Sequence, residues 1–388
     1  MRDAVIVDAV RTPVGRRNGA LSGVHAVSLS AHVLTSLAER TGLNPALVDD
    51  VIWGCVGTLG MQSGCIGRGA VLGAGWPESV PGVTVDRQCG SSQQAVHQAA
   101  AGVISGQYDV AIAGGVEVMS AVPLGTARSV GDFGEPFGPL VWERYDDVRF
   151  NQGMGAQLIA DEYGLTREEM DQHGLDSHAR AAAAIDEGRF KGQISPVPVT
   201  DAAGEVRLVE TDEGVRRGSS LEAMARIKPA FREDGTITAG NSSQISDGSA
   251  ALLITTSEYA AAQGWTPIAR IHTAIVTGTD PITMLKGPIP ATAKALAKAG
   301  LSIADIGAFE INEAFAAVSL AWLRETGANY QQMNPNGGAM ALGHPIGGSG
   351  ARLMTTLVNH MRDEGIRYGL QSMCEGGGMA NATILELL

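Results

Sequence analysis

The fold class that the sequence predicts is α/β, with a core built twice around an inserted segment. Three observations predict it. Strand-like apolar runs alternate with helical patterns in the first third of the chain and again in the last third. Pieces of the first stretch have counterparts in the second at nearly constant offsets of 255 to 265 residues. Between the two, residues 120–246 are richer in charge and in helix signals.

The run at 4–10 (AVIVDAV) has its counterpart at 269–276 (ARIHTAIV), and 49–57 (DDVIWGCVG) has one at 304–312 (ADIGAFEIN). The strand Val83-Thr84-Val85 leads to a turn at Cys89 and a small-residue helix over 93–104; the matching turn holds His344. The run at 108–115 (YDVAIAGG) answers to 368–375 (YGLQSMCE). In the intervening segment, Thr166 and Glu169 have capping-box spacing, and the alanine-rich run that follows is helical as far as Gly188. Pro196 and Pro198 then impose an extended stretch.

Composition bounds the function. A chain of 388 residues makes two or three domains, and 44% hydrophobic residues suffice for a large core. No run of about 18 apolar residues occurs, so no membrane span is expected. The net charge of −13 argues against a nucleic-acid binder, which needs a basic face. An anionic small ligand needs only a local basic patch. Four cysteines without a CxxC pair predict neither a disulfide framework nor a zinc site. The N-terminus runs straight into a strand and the C-terminus lacks a peroxisomal tripeptide, so a cytoplasmic location is expected.

Cys89 stands at a helix start. There the dipole and free amides favour a thiolate nucleophile, and Gly90 leaves room for a carbonyl to approach. A lone cysteine would more often be a buried small hydrophobe. His344, in Gly343-His344-Pro345, occupies the matching position of the other copy, and two related copies packed about a pseudo-twofold axis bring both helix starts together. A neutral imidazole there can take the thiol proton and polarise a thioester oxygen. Cys374 precedes Glu375 and three glycines, whose free N–H groups suit an oxyanion hole. With an ordinary pKa of about 8.5, a second thiol suits proton transfer to and from carbon. Asn312 ends a strand; its amide can hold a water as an oxyanion donor or can cap the strand, and spacing does not choose.

Taken together, these pieces resemble the thiolases, the acyl-CoA:acetyl-CoA C-acyltransferases. The resemblance spans nearly the whole chain: Arg11-Thr12-Pro13-Val14-Gly15, Cys89-Gly90-Ser91, the segments 114–120 and 238–243, Asn312-Glu313-Ala314-Phe315, Gly343-His344-Pro345 and the Cys374 motif. It implies a duplicated five-layer αβαβα core. The N-terminal half would comprise residues 1–119 and 247–266, the inserted loop domain 120–246, and the C-terminal half 267–388. It also implies coenzyme A as a substrate, no metal, acyl-CoA as the partner, and a homodimer or homotetramer. Residue by residue, Cys89 becomes the acylated nucleophile, His344 its base and an oxyanion donor, and Asn312 the holder of that hole's water. Cys374 becomes the acid/base for the acetyl-CoA carbanion, with the backbone of Cys89 and Gly376 as the second hole. Arg216, Arg217 and Gly218 fall at the nucleotide end of CoA, Ser243 and Gln152 at its pantetheine arm.

Departures bear on substrate. Asn151-Gln152-Gly153 stands where short-chain biosynthetic thiolases have His-Met-Gly, and with residues 241–247 it looks more like the actinobacterial thiolases that shorten steroid side chains. Cys65 and Ala380 replace a common Asn and Gly. Degradative thiolysis of a bulky or medium acyl chain is therefore expected over acetoacetyl-CoA synthesis. The other readings are a β-ketoacyl synthase, which lacks the second catalytic thiol, and a non-catalytic acyl-CoA binder.

Overall fold

A computed structural model describes residues 2–128, 134–201 and 203–388. The first copy runs β1 (Val5–Arg11), β2 (Gly15–Arg16), α1 (Ala26–Thr41), β3 (Asp50–Gly54), α2 (Ile66–Gly73), β4 (Gly82–Val85), α3 (Ser91–Ser105) and β5 (Val110–Val118). The intervening segment supplies α4 (Gly138–Arg144), α5 (Gln152–Glu162), α6 (Arg167–Asp186), the hairpin β6 (Val197–Thr200) and β7 (Val206–Val209), and α7 (Leu221–Ala225). The chain then returns through β8 (Ser246–Thr255) and α8 (Ser257–Gln263). The second copy is β9 (Ala269–Gly278), α9 (Pro288–Ala299), β10 (Ala308–Ile311), α10 (Ala316–Thr326), α11 (Ala339–Leu342), α12 (Ile346–Glu364), β11 (Tyr368–Glu375) and β12 (Met379–Leu387).

Strand order repeats itself. From the centre outward, one side reads β1-β8-β5-β3-β4 and the other β9-β12-β11-β10. In each, the two strands nearest the centre are antiparallel, and the outer ones are parallel as in a β–α–β unit. Where the first copy has β4, the second has only a parallel bridge between Phe309 and Met333. The two halves meet at a short antiparallel seam, Val5 opposite Arg270 and Ile6 opposite Ala269.

Burial explains the layering. Leu34 and Leu37 of α1 pack with Trp53 on one outer face, and Phe309 and Trp322 fill the other. Between the sheets lie α3 and α12, with Ala95, Ala99 and Val103 against Met354, Leu357 and Val358. Helix α12 buries every residue from Ile346 to Asn359, as a helix with sheet on both sides must. The layers are thus the expected α, β, α, β, α. The capping box at Thr166 and Glu169 forms at the start of α6, which ends before Gly188 as expected. A bidentate pair between Arg11 and Asp212, both wholly buried at 2.7 Å, pins the inserted segment to β1.

Candidate active site

The turn between β4 and α3 shapes the site's floor. Gln88 adopts a left-handed backbone (φ 48°), and its N–H is held by Asp86 Oδ1 at 2.7 Å. Ser91 locks the turn by accepting from Arg87 N–H at 2.9 Å and donating to the Gln88 carbonyl at 2.6 Å. This bend lifts Cys89 into a cavity of about 510 Å³, where it is only 6% exposed. Its sulfur receives hydrogen bonds from the Gln152 side chain, its own N–H and the N–H of Gly376. Burial, followed by Glu375 once it is ionised, nevertheless pushes its pKa up to about 12. The expectation that a helix start lowers this pKa is therefore corrected: three donors pull down, but desolvation outweighs them. The thiol rests protonated, so attack requires a base.

His344 lies between α11 and α12, its N–H bonded to Ser246 Oγ at 3.1 Å and the Gln244 carbonyl at 3.2 Å. The Ser349 hydroxyl donates to the Pro345 carbonyl at 2.8 Å, so at 2.6 Å from His344 Nδ1 it must accept. That assigns the ring proton to Nδ1 and leaves Nε2 bare. Burial, reinforced by the Arg352 charge, lowers the imidazole to about 3, so the ring is neutral. Asn312 points its Nδ2 at that Nε2 from 3.5 Å. The Asn312 side chain thus faces the histidine instead of capping the strand. Its Oδ1 is buried with no protein partner among the described residues, a position that suits a bound water.

Cys374 is fully buried on β11, opposite Ala380 of β12, in an apolar cluster with Met284, Ala314, Phe315 and Met340. It and Asn312 stand behind the cavity wall, whereas Gly376 is part of it. Burial, then Cys89 and Glu375 when they are ionised, raise the Cys374 thiol well above its ordinary value. The expected ordinary pKa is corrected accordingly. Cys89 is thus among the groups whose charge acts on Cys374.

Of the remaining expected residues, Gln152 and Ser243 line the cavity, with Ser243 N–H bonded to the Ala314 carbonyl at 2.9 Å. Gln152 begins α5 and reaches the Cys89 sulfur itself, nearer the chemistry than expected. Arg216, Arg217 and Gly218 are exposed and outside the wall, and Arg217 is paired with Asp186 at 2.8 Å. Sequence reasoning missed the apolar wall: Leu124, Phe137, Phe150, Phe231, Met284 and Phe315. Phe137 and Phe150 of this wall stack edge to face with each other and with Trp142 and Tyr145 behind it, at 5.2–5.4 Å. It also missed Glu117, which accepts from the amides of Val56, Gly57 and Gly347 at 2.9–3.0 Å and so ties the two copies together beside the cavity. Ser349, one and a half turns beyond His344, was the one legible signal. Among the described residues, no group of three or more His, Cys, Asp or Glu could hold a metal ion, and no helix is long and apolar enough to cross a membrane.

Comparison with known proteins adds an independent line. Residues 4–258 match the family described as Thiolase, N-terminal domain, and residues 265–387 match Thiolase, C-terminal domain. The steroid 3-ketoacyl-CoA thiolase FadA6 of Mycobacterium tuberculosis is 50% identical over 393 residues, covering all of this chain and 95% of that protein. The 3-ketoacyl-CoA thiolase of Colwellia psychrerythraea is 44% identical over the full length of both chains. Among solved structures, the Bacillus anthracis acetyl-CoA acetyltransferase superposes with a TM-score of 0.91 at 39% identity, covering 100% of this chain and 99% of that one.

Proposed function

The chain belongs to the thiolase family, and from that premise we propose how its own residues perform the reaction. It is an acyltransferase that cleaves a 3-oxoacyl-CoA with coenzyme A, in the sense of β-oxidation. The observation that carries the assignment of roles is the convergence of Cys89, His344 and Gly376 on one apolar cavity, with Cys374 behind its wall and electrostatically coupled to Cys89.

In this reading Cys89 loses its proton to His344 Nε2 as the sulfur attacks the C3 ketone. The histidine and a water on Asn312 hold the oxyanion that forms there. The C2–C3 bond breaks, and its electron pair passes to C2 as the acetyl-CoA enolate, whose oxygen lies at the amides of Cys89 and Gly376. Cys374 gives its proton to C2, leaving a thiolate that then deprotonates incoming CoA. The CoA sulfur attacks the acyl carbon, Cys89 leaves as a thiolate that takes back the proton held by His344, and the shortened acyl-CoA is released. The high resting pKa of Cys374 fits a group that surrenders its proton only to a strongly basic carbanion.

For the acyl group we propose a bulky apolar chain, as in steroid side-chain or fatty-acid degradation. The support is the wall of Leu124, Phe137, Phe150 and Phe231, together with the first-mentioned relative. Acetoacetyl-CoA synthesis is the second reading, favoured by the likeness to the acetyl-CoA acetyltransferase. We also propose that residues 1–119 with 247–266, 120–246 and 267–388 act as the three units, that Arg216, Arg217 and Gly218 meet the CoA nucleotide, and that the enzyme is a cytoplasmic homodimer or homotetramer. Thiolysis of a panel from acetoacetyl-CoA to steroid side-chain thioesters, followed as loss of enolate absorbance on adding CoA, tests the reading. Cys374→Ala is expected to lose cleavage and acetyl-CoA α-proton exchange by at least about 100-fold, with Cys89 still alkylated. Normal proton exchange in that variant would remove Cys374 from its role.

A further inference from the structure

Glu375 lies between the two parts of the site and takes no part in the steps of thiolysis. It closes β11 between Cys374 and Gly376 and is completely buried. Neither carboxyl oxygen has a hydrogen-bond partner among the described residues. Such a group is rare in a folded protein unless it has a use. The carboxyl presses on the backbone of Gly90, the residue after Cys89. A Cβ at Gly90 would sit 2.0 Å from Glu375 Oε1 and 2.6 Å from Asn381 Nδ2. Glycine at that position therefore admits the carboxyl to the floor of the nucleophile turn. Asn381, meanwhile, donates to the Gly90 carbonyl at 3.0 Å and so steadies that turn from β12.

We propose that Glu375 is a positioning residue for the thiol pair: its carboxyl, wedged against Gly90, is a charge gate that permits thiolates at Cys89 and Cys374 while protonated and opposes them once ionised. The groups that bear on it come from three elements. Arg87, in the turn before α3, is the cation that acts on it among the described residues; Cys89 follows in the same turn, Cys374 adjoins it on β11, and the neutral Asn381 faces it from β12. Burial raises the carboxyl to about 8 although Arg87 pulls the other way, so it carries a proton at neutral pH. An ionised Glu375 raises both thiols. The gate is thus open at neutral pH and closes as pH rises through about 8.

The inference deepens the thiolase reading and rests on it for its purpose, but its test needs no substrate. Alkylation of Cys89 by iodoacetamide would be followed from pH 6 to 10, with the modified peptide identified by mass spectrometry, in the wild type and in Glu375→Gln. Equal rates are expected at pH 6. At pH 9 the variant should react about tenfold faster, one pKa unit of relief. A rate ratio constant within twofold across the range overturns the proposal. A wild-type measurement stands in if the variant fails to fold: the slope of log rate against pH should drop below one near pH 8, and a full unit slope through that region overturns it equally. Wild-type protein that alkylates as expected yet does not cleave any 3-oxoacyl-CoA would refute the thiolase reading alone; an active wild type with a flat rate ratio would refute the gate alone.

Discussion

Ser349 decides which nitrogen of His344 is free. Because its hydroxyl hydrogen is committed to the Pro345 carbonyl, it can only accept from Nδ1, and the lone pair on Nε2 is left facing Asn312. Ser349→Ala removes that acceptor. A buried Nδ1–H would then lack a partner, at about 1–3 kcal/mol, and the ring could relieve this by moving its proton to Nε2. That tautomer cannot take the Cys89 proton. We expect kcat/KM for thiolysis to fall at least about tenfold, in the direction seen when a catalytic histidine is held in the wrong tautomer. Ser349→Thr should restore most of it. An alanine variant within twofold of wild type would show that Ser349 does not set the tautomer. That Cys89 and His344 meet in one cavity was legible in the sequence through symmetry, but their proton affinities were not. A helix start is visible in a string of residues, whereas the desolvation that raises Cys89 to about 12 and lowers His344 to about 3 is a property of the assembled core.

At the scale of elements, the site depends on how closely α3 and α12 approach where they cross at Gly350. Gly350 of α12 faces the α3 backbone: a Cβ there would sit 2.3 Å from Gln93 N, an atom that cannot yield without moving the helix. Replacing a mid-helix glycine by alanine ordinarily stabilises by about 0.5–1 kcal/mol. Here the sign should reverse. Gly350→Ala is expected to destabilise by about 1–3 kcal/mol, measured by chemical denaturation, and to lower kcat more than KM, because Cys89 and His344 start the two displaced helices. A stabilised, fully active variant would mean the crossing is not what sets the geometry. The alternation of strands and helices, the offsets between copies and the Thr166 cap were all readable, since local periodicity and capping chemistry specify them. Which glycines serve as contacts was not readable, because the partner atoms lie hundreds of residues away. The aromatic wall escaped for the same reason: Phe137, Phe150, Phe231 and Phe315 have no common spacing and meet only in the fold.

For the molecule as a whole, burying so many titratable groups makes stability depend on pH from both sides. His97 and His344 are lowered to about 3 and His178 to about 4, with His173 lowered as well, each chiefly by burial. Their unfolded counterparts titrate near 6.5, so below that pH the unfolded chain binds protons that the folded chain refuses. The stability they contribute is complete above about 6.5 and is lost as pH falls from there. Glu310 and Glu375, raised to about 8, act in the opposite sense. Their contribution is complete below the unfolded carboxyl pKa of about 4.3 and is lost as pH rises through 8. Counting His32 and His360, also lowered, against Glu117 and Asp247, also raised, six imidazoles outnumber four carboxyls between pH 5 and 6.5, so the acid limb should win. We expect the melting temperature to be highest near neutrality and to drop by roughly 5 °C between pH 6.5 and 5, with a shallower decline toward pH 8 and above. His97→Gln, which can keep a hydrogen bond to Thr383 Oγ1, should flatten the acid limb without touching the cavity. Calorimetry showing a melting temperature that is level or rising from pH 6.5 to 5 would mean these imidazoles are protonated inside the fold. A neutral His344, on which the proposed removal of the Cys89 proton depends, would then be untenable at working pH.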